Sequence, residues 1–208
     1  VVIDYSVIRK APSHLNTAGL GDILCSQAGI SEWEYSSKRN LSPPVDPSKT
    51  LSVRNQRNEI VGFFPNTLGA NGNLTSKSIK FIMESIQKRD SNSIQSPYAP
   101  GSDHVFWQCV ESTNNRGWVH GGGVALASVI IAWHCEEGVE QLISDLDTCQ
   151  VFWRPTQLGI SENHLLLALK SAPQFFNDKN NGRELKSILR DSPIIGSRFK
   201  KLWSFLNS

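Results

Sequence analysis

Helical spacing of apolar residues extends through almost all of this 208-residue chain. Apolar side chains that recur every three or four positions predict helices over residues 13–37, 75–89, 103–113, 123–148 with a break at Gly138, 161–171, 183–190 and 197–206. Only residues 1–4 have the short, β-branched composition of a strand. The pattern therefore predicts an all-α domain with a short strand at its start.

Capping residues and proline clusters set the predicted helix boundaries. Short side-chain oxygens that can accept a hydrogen bond from a free amide stand at four helix starts: Ser13, Thr75 or Ser76, Ser102 and Ser161. Three prolines between positions 43 and 47, then Pro65 and the Asn71-Gly72 turn, indicate an irregular connection between the first two long helices. Residues 92–100 and 153–159 are predicted to be further loops.

Composition argues against several classes of function. Lys and Arg number 21 and Asp and Glu number 19, so the net charge is +2, too small to indicate a nucleic-acid partner. No run of about 18 apolar residues predicts a membrane span. The four cysteines, at positions 25, 109, 135 and 149, form no Cys-x-x-Cys pair. We therefore expect buried, reduced thiols in a cytoplasmic protein.

Three short segments combine glycine with side chains that bind metal ions. They read Gly-Leu-Gly-Asp, Gly-Ser-Asp-His and His-Gly-Gly-Gly-Val, and they contain Asp22, His104 and His120. One Asp and two His supply three ligands to a divalent ion and leave one position open for water or a substrate oxygen. Ferrous iron accepts the same ligand set. We therefore predict that these three residues bind Zn²⁺ or Fe²⁺.

Each segment also has a structural interpretation. Gly19 and Gly21 lie in a predicted helix, where each glycine costs about 1 kcal/mol relative to alanine, so a ligand or another backbone is expected to approach them closely. Asp103 is adjacent to His104 and could orient its imidazole. The three glycines after His120 could form a flexible turn, or an anion-binding nest at a helix N-terminus.

The remaining histidines are poorly placed to share the same ion. His134 lies 14 residues after His120, about 21 Å along an uninterrupted helix. His14 lies eight residues before Asp22, about 12 Å by the same rise. His164 is at the start of a predicted helix, a position typical of a surface residue.

The order and spacing of these segments resemble a known superfamily. Residues 11–12 (Ala-Pro) and 16–24 (Asn-Thr-Ala-Gly-Leu-Gly-Asp-Ile-Leu) are similar to the "AP…AGLGDLLA" segment of the iron-containing alcohol dehydrogenase and dehydroquinate synthase superfamily, whose Asp binds the metal. Residues 101–104 resemble its "GSEH", residues 120–124 its "HGEQV", and residues 158–173 its "LGI…AL..A" helical tail. Asp at the first ligand position favours the dehydrogenase branch, and within it the chain most resembles the sn-glycerol-1-phosphate dehydrogenase family.

The resemblance implies one half of a two-domain oxidoreductase. Members have an α/β nucleotide-binding domain followed by a helical metal-binding domain, and residues 1–208 are expected to be the second domain alone. Since no Gly-x-Gly-x-x-Gly follows a strand, NAD(P) is expected to bind through a domain that this chain lacks. The implied reaction interconverts sn-glycerol 1-phosphate and dihydroxyacetone phosphate, and the isolated chain is expected to be inactive.

Two departures from the family pattern concern substrate recognition. Gln108 stands where family members have a second His that contacts the substrate, and we predict that Gln108 and Asp22 contact it here. Gly122 and Gly123 replace the Glu-Gln of the family segment. These departures leave open a non-catalytic metal-binding or interaction domain, and also a related polyol dehydrogenase or sugar-phosphate cyclase. No catalytic residue is predicted beyond the metal ligands, and a homo-oligomer is compatible with each alternative.

Overall fold

Helices make up the regular secondary structure of the described residues, which are 4–91, 102–179 and 187–208 of a computed structural model. In chain order the elements are α1 (Tyr5–Ile8), α2 (Ser13–Leu24), α3 (Ser26–Lys38), α4 (Pro47–Phe63), a 3-10 turn (Phe64–Thr67), α5 (Ser76–Ser91), α6 (Ser102–Asn114), α7 (His120–Cys135), α8 (Val139–Thr148), α9 (Pro155–Leu158), α10 (Glu162–Lys179), α11 (Ile188–Asp191) and α12 (Gly196–Leu206). No strand occurs in these ranges. The predicted all-α class is confirmed.

The strand predicted over residues 1–4 has one described residue, Asp4, whose backbone is extended (φ −95°, ψ 97°). Residues 1–3 lie outside the described residues. Asp4 is the N-cap of α1, and its carboxylate accepts a hydrogen bond of 2.9 Å from the amide of Ser6. Such an acceptor satisfies one of the free amides at a helix start. A short helix, missed by the sequence pattern, therefore follows Asp4.

The segment between the first two predicted helices contains an unpredicted helix, α4. Asp46 caps it by accepting a hydrogen bond from the amide of Ser48, and Pro47 occupies its first turn. Proline is favoured there because the missing amide hydrogen has no helical partner in any case. Three buried residues, Thr50, Val53 and Ile60, anchor the helix. The prolines thus precede and begin a helix, and the prediction of an irregular connection was wrong for residues 47–63.

Other predicted boundaries are partly confirmed. The helix predicted over residues 13–37 is divided at Cys25, and the one over 123–148 begins at His120 and breaks before α8, where Gly138 has a φ of 68°. The predicted loop at 153–159 contains α9. Residues 92–100 and 183–186 of two further predictions lie outside the described residues.

Two of the predicted helix caps are confirmed and one is wrong. The Thr75 hydroxyl accepts a hydrogen bond from the amide of Ser78, and the Ser161 hydroxyl accepts one from that of His164. Ser13 is the first residue of α2 instead of its cap, because Pro12 holds that position without a side-chain hydrogen bond. The residue before Ser102 lies outside the described residues.

Helix α7 forms the centre of the domain. Fourteen of its residues are buried, as expected for a helix that is apolar on all sides. It packs against α2, α3, α6 and α8, while α10 packs against α6 and α5 packs against α2. The N-terminal turns of α6 and α7 meet the C-terminal half of α2 at one edge of this core.

Candidate metal centre

Three helices bring Asp22, His104 and His120 together. Asp22 lies near the end of α2, His104 is in the first turn of α6, and His120 is the first residue of α7. The Asp22 Oδ1 atom lies 3.0 Å from His104 Nε2 and 3.7 Å from His120 Nε2. The two imidazole centroids are 5.5 Å apart, with an angle of 57° between the ring planes. The three residues therefore converge although 98 positions separate the first from the last.

The two distances from Asp22 Oδ1 to the histidines each suit a pair of donors to one tetrahedral ion. Zinc lies about 2.0–2.1 Å from nitrogen and oxygen ligands, so two such ligands at a tetrahedral angle are about 3.4 Å apart. The two measured distances from Asp22 Oδ1, 3.0 and 3.7 Å, lie on either side of that value. A carboxylate and two neutral imidazoles are also donors that zinc and ferrous iron accept. The donor set thus fits a divalent ion.

Cys25, and not His120, completes the set of three donors that lie within 4.8 Å of one another among the described residues. Its Sγ, a carboxylate oxygen of Asp22 and a ring nitrogen of His104 all lie within 4.8 Å of one another. The Cys25 side chain is only 2% exposed and its thiol donates to the backbone carbonyl of Asp22 at 2.8 Å. The His120 side chain is 56% exposed and so remains accessible to an ion from solvent. We therefore favour His120 over Cys25 as the third ligand.

A buried carboxylate holds the His104 ring. Asp103 Oδ1 lies 3.1 Å from His104 Nδ1, and Asp103 Oδ2 accepts a hydrogen bond of 3.2 Å from the Ser128 hydroxyl. The Asp103 side chain is only 3% exposed. A carboxylate on one ring nitrogen fixes the orientation of the imidazole and directs the other nitrogen toward a metal. The predicted orienting contact is present, and Ser128, which no sequence pattern indicated, supports it.

The electrostatics of His104 follow from its position between two carboxylates. Burial opposes its protonation, but hydrogen bonds to Asp103 and Asp22 outweigh burial and raise the pKa of His104 to about 9. At neutral pH the imidazole of the metal-free site therefore carries a proton shared with these carboxylates. A divalent ion held at Nε2 would require the neutral imidazole and so would displace that proton.

Close contact between α2 and α7 explains two of the glycines. A Cβ atom at Gly21 would lie 2.6 Å from the carbonyl oxygen of Gly121 and 2.9 Å from Val151, and one at Gly121 would overlap the carbonyl of Ala18. Each glycine therefore lets the backbone of the other helix approach. The expected close approach of a backbone is confirmed at Gly21 and places Asp22 beside His120, whereas at Gly19 the nearest group is the side chain of Ile86, at 2.5 Å from an added Cβ atom.

The glycines after His120 form the first turn of α7 and not a flexible turn. A Cβ atom at Gly122 would lie 2.6 Å from the carbonyl oxygen of Phe152, and one at Gly123 would overlap the indole of Trp107. Trp107 is fully buried. Packing therefore requires small residues where the family segment has Glu-Gln.

Gln108 lies one helical turn after His104 and is exposed. Residues four apart in a helix are neighbours, so Gln108 lies beside His104. Its contact with a substrate stays a prediction. The other histidines have partners elsewhere: the ring of His14 stacks on Phe152, His134 Nε2 lies 2.6 Å from the carbonyl oxygen of Ser192, and His164 Nδ1 accepts from the amide of Ser161.

Glu32 is a buried acid that the sequence did not reveal. It lies in α3, where only 2% of the residue is exposed, and its Oε1 accepts a hydrogen bond of 3.1 Å from the amide of Ile188. Burial outweighs the hydrogen bonds from Ser102 and Ile188 and raises the pKa of Glu32 to about 7. A helical pattern with Glu32 on a polar face gave no signal of this environment.

The four cysteines, all among the described residues, are buried and form no disulfide, as predicted. Among the described helices, none combines the length and apolar composition needed to cross a bilayer.

The chain is similar in sequence to curated glycerol-1-phosphate dehydrogenases. No protein-family model matches the chain. The curated glycerol-1-phosphate dehydrogenase (NAD(P)+) of Methanococcus vannielii is 26% identical over 186 residues, which are 83% of this chain and 54% of the relative. The protein of the same name from Methanococcus maripaludis (strain C7) is 26% identical over 219 aligned positions, with 94% of this chain and 63% of the relative covered. That of Aeropyrum pernix is 21% identical over 195, with 92% and 54% covered.

The chain thus spans between about half and two thirds of the length of these relatives. The comparisons cover most of the chain, and the relatives carry the family name that the residue motifs predicted. The similarity of this chain to the glycerol-1-phosphate dehydrogenases is confirmed.

Proposed function

We propose that this chain is the metal- and substrate-binding part of an NAD(P)-linked dehydrogenase that acts on a small phosphorylated polyol. The convergence of Asp22, His104 and His120 from three helices carries the proposal. The names of the relatives support sn-glycerol 1-phosphate and dihydroxyacetone phosphate as the substrate pair. The nucleotide would bind through a domain outside residues 1–208.

The side chains of the site hold and orient donors. Asp22, His104 and His120 would hold a divalent ion, and Asp103 fixes the His104 ring so that Nε2 faces Asp22. When bound, such an ion supplies a Lewis acid for the substrate carbonyl, and a nicotinamide supplies the hydride. No side chain of the site can itself transfer hydride. The side chains of the site would therefore position the ion and supply charge around it.

The non-catalytic alternative rested on Gln108, on the glycines at positions 122 and 123 and on the lack of a nucleotide-binding motif in residues 1–208. The packing of Trp107 and Phe152 against these glycines accounts for them without loss of the metal donors. The first turn of α7, which carries His120, is also well packed at Gly121, Gly122 and Gly123. The close packing of the helix start that carries His120 favours the enzymatic proposal.

The test is turnover by the full-length protein that contains this chain. With zinc bound, it should oxidise NADH or NADPH when dihydroxyacetone phosphate is added, and should do so far more slowly with unphosphorylated dihydroxyacetone. His104→Ala should abolish turnover, while Lys170→Ala, an exposed change on α10, should leave it intact. Equal rates with both ketones would replace the proposal with an unphosphorylated polyol as substrate. No zinc-dependent turnover would overturn it.

A further inference from the structure

The C-terminal helix, α12, is attached to the end of α7 through Arg198 and His134. The Arg198 Nε atom donates a hydrogen bond of 3.0 Å to His134 Nδ1, and the same guanidinium donates one of 3.3 Å to the His134 carbonyl oxygen. On the other side of the ring, His134 Nε2 lies 2.6 Å from the carbonyl oxygen of Ser192. Only 5% of His134 is exposed. This imidazole therefore joins α7 both to α12 and to the segment that leads into α12.

The two ring contacts admit only one form of the His134 imidazole. A guanidinium donates hydrogen bonds and cannot accept one, so Nδ1 must present a lone pair to Arg198. A carbonyl oxygen can only accept, so Nε2 must carry the hydrogen that faces Ser192. His134 is therefore neutral while α12 is docked. A second proton, on Nδ1, would remove the acceptor of Arg198 and place two cations in contact.

The groups that touch His134 act on its pKa in opposite directions. Burial and the charge of Arg198 lower the pKa of His134 from its ordinary value of 6.5, whereas the Ser192 carbonyl and Glu136 oppose that shift. Glu136 Oε1 lies 3.5 Å from the Arg198 guanidinium, but its side chain is largely in solvent, so it offsets that charge only weakly. Through the His134 carbonyl, Arg198 already supplies the cation that the end of a helix favours.

Other charged residues near the end of α7 pair among themselves. Lys38, at the end of α3, pairs with Glu137. In α11, Arg190 pairs with Asp191 at 2.7 Å. Among the charged groups described at this end of α7, Arg198 is therefore the cation that acts on the imidazole of residue 134.

The remaining attachment of α12 is apolar. Phe199, Leu202 and Leu206 are buried on one side of the helix. The Phe205 ring centroid lies 6.2 Å from that of Trp133, and the Arg198 guanidinium lies over the same indole at 4.8 Å. These contacts do not titrate. The pH dependence of the attachment is therefore concentrated in the contact between Arg198 and the imidazole.

We propose that His134 and Arg198 form a pH-sensitive latch, which holds α12 on α7 at neutral pH and weakens its attachment in mild acid. The released imidazole binds a proton below about pH 6.5, whereas the docked imidazole resists it. The latch is therefore fully effective above that pH and is lost as the pH falls below it. His134 lies at the opposite end of α7 from His120, so the latch does not depend on the proposed metal or substrate.

Amide hydrogen exchange of the chain between pH 7.5 and pH 5.5 tests the latch. After correction for the intrinsic exchange rates, protection of α12 should fall about tenfold or more, as expected when a hydrogen bond to a charged group is lost. Protection of the buried amides of α8 should stay constant, which separates release of α12 from a change in overall stability. An NMR titration should place the pKa of His134 below 6.5.

Two variants and a matched control identify the groups. His134→Gln should keep α12 protected at both pH values, because one amide can accept from Arg198 and donate to Ser192 but does not titrate. Arg198→Gln, which removes the opposing cation, should raise the pKa of His134 and reduce the pH dependence. The control, His164→Gln, removes a histidine of α10 that accepts from the Ser161 amide, and it should retain the full pH dependence.

Two results would overturn the latch. One is α12 protection that is the same at pH 7.5 and pH 5.5 in the unchanged chain. The other is a fall of equal size in the unchanged chain and in both the His134 and the Arg198 variants.

Discussion

Replacement of Glu32 by glutamine should make the domain more stable at high pH. Glu32 is buried, and burial raises its pKa from 4.5 to about 7. Ser102 lowers this pKa through hydrogen bonds to the carboxylate, although the Oε2 atom has no partner at hydrogen-bond geometry in the described part of the chain. A glutamine can keep the acceptor used by the Ile188 amide while removing a charge that the folded protein must otherwise bury.

The direction in which pH changes the stability follows from proton linkage. Between pH 4.5 and about 7 the folded protein retains a proton that the unfolded chain has lost, so stability falls as pH rises through this window. Below pH 4.5 both states are protonated and Glu32 carries no penalty; above about 7 the penalty is complete. One pKa unit corresponds to about 1.4 kcal/mol, so the full penalty is about 3 kcal/mol. This value is an upper estimate, since local relaxation reduces the cost.

Urea unfolding at several pH values tests this. The free energy of unfolding of Glu32→Gln should match that of the unchanged protein near pH 4.5 and exceed it by up to about 3 kcal/mol at pH 8. Glu34→Gln is the control, because Glu34 lies two residues later in α3 and is partly exposed. It should show a difference below about 1 kcal/mol at both pH values. A Glu32 variant that is less stable at pH 8 than at pH 4.5, relative to the unchanged protein, would refute the reasoning.

Three further substitutions or titrations follow from the structure and sequence. Gly123→Ala should destabilise the domain by about 1–3 kcal/mol in thermal or urea unfolding, because its methyl group overlaps the buried Trp107 ring; Gly29→Ala, with open space around it, should be neutral or stabilising. Gln108→His, in the full-length enzyme, should lower KM for the phosphorylated substrate, with about 1–2 kcal/mol at stake; a substitution that leaves the kinetics of phosphorylated and unphosphorylated polyols both unchanged would refute a contact of Gln108 with the substrate. Calorimetric titration of the isolated chain with NADH should show no binding, and a micromolar isotherm would mean that residues 1–208 hold a nucleotide site.

Local patterns predicted much of the helical architecture because amphipathic spacing is a property of neighbouring residues. The break at Gly138 and the cap at Thr75 were visible for this reason. Helix α4 was missed because only three of its residues are buried and prolines precede it. A helix stabilised mainly by its cap and by a few tertiary contacts leaves a weak periodic signal.

The metal donors of the candidate site were predicted from short sequence motifs. The surroundings of these donors depend on contacts between residues that are distant in the sequence. The donors Asp22, His104 and His120 could be named from their motifs, but the proximity of Cys25 depends on the turn between α2 and α3. Burial of Glu32 likewise depends on Ile188, which is 156 positions away. The glycine run after His120 could be read as a turn until the indole of Trp107 was placed against it.

The central claim is that Asp22, His104 and His120 bind one divalent ion, and metal content measures it most directly. The purified chain is incubated with zinc, freed of unbound ion and analysed for zinc, with circular dichroism to verify that each variant remains helical. The unchanged chain and Cys25→Ala should retain about one ion per chain, whereas His104→Ala and His120→Ala should lose it. Full zinc content in both histidine variants, or loss in Cys25→Ala with retention in His120→Ala, would contradict the assignment.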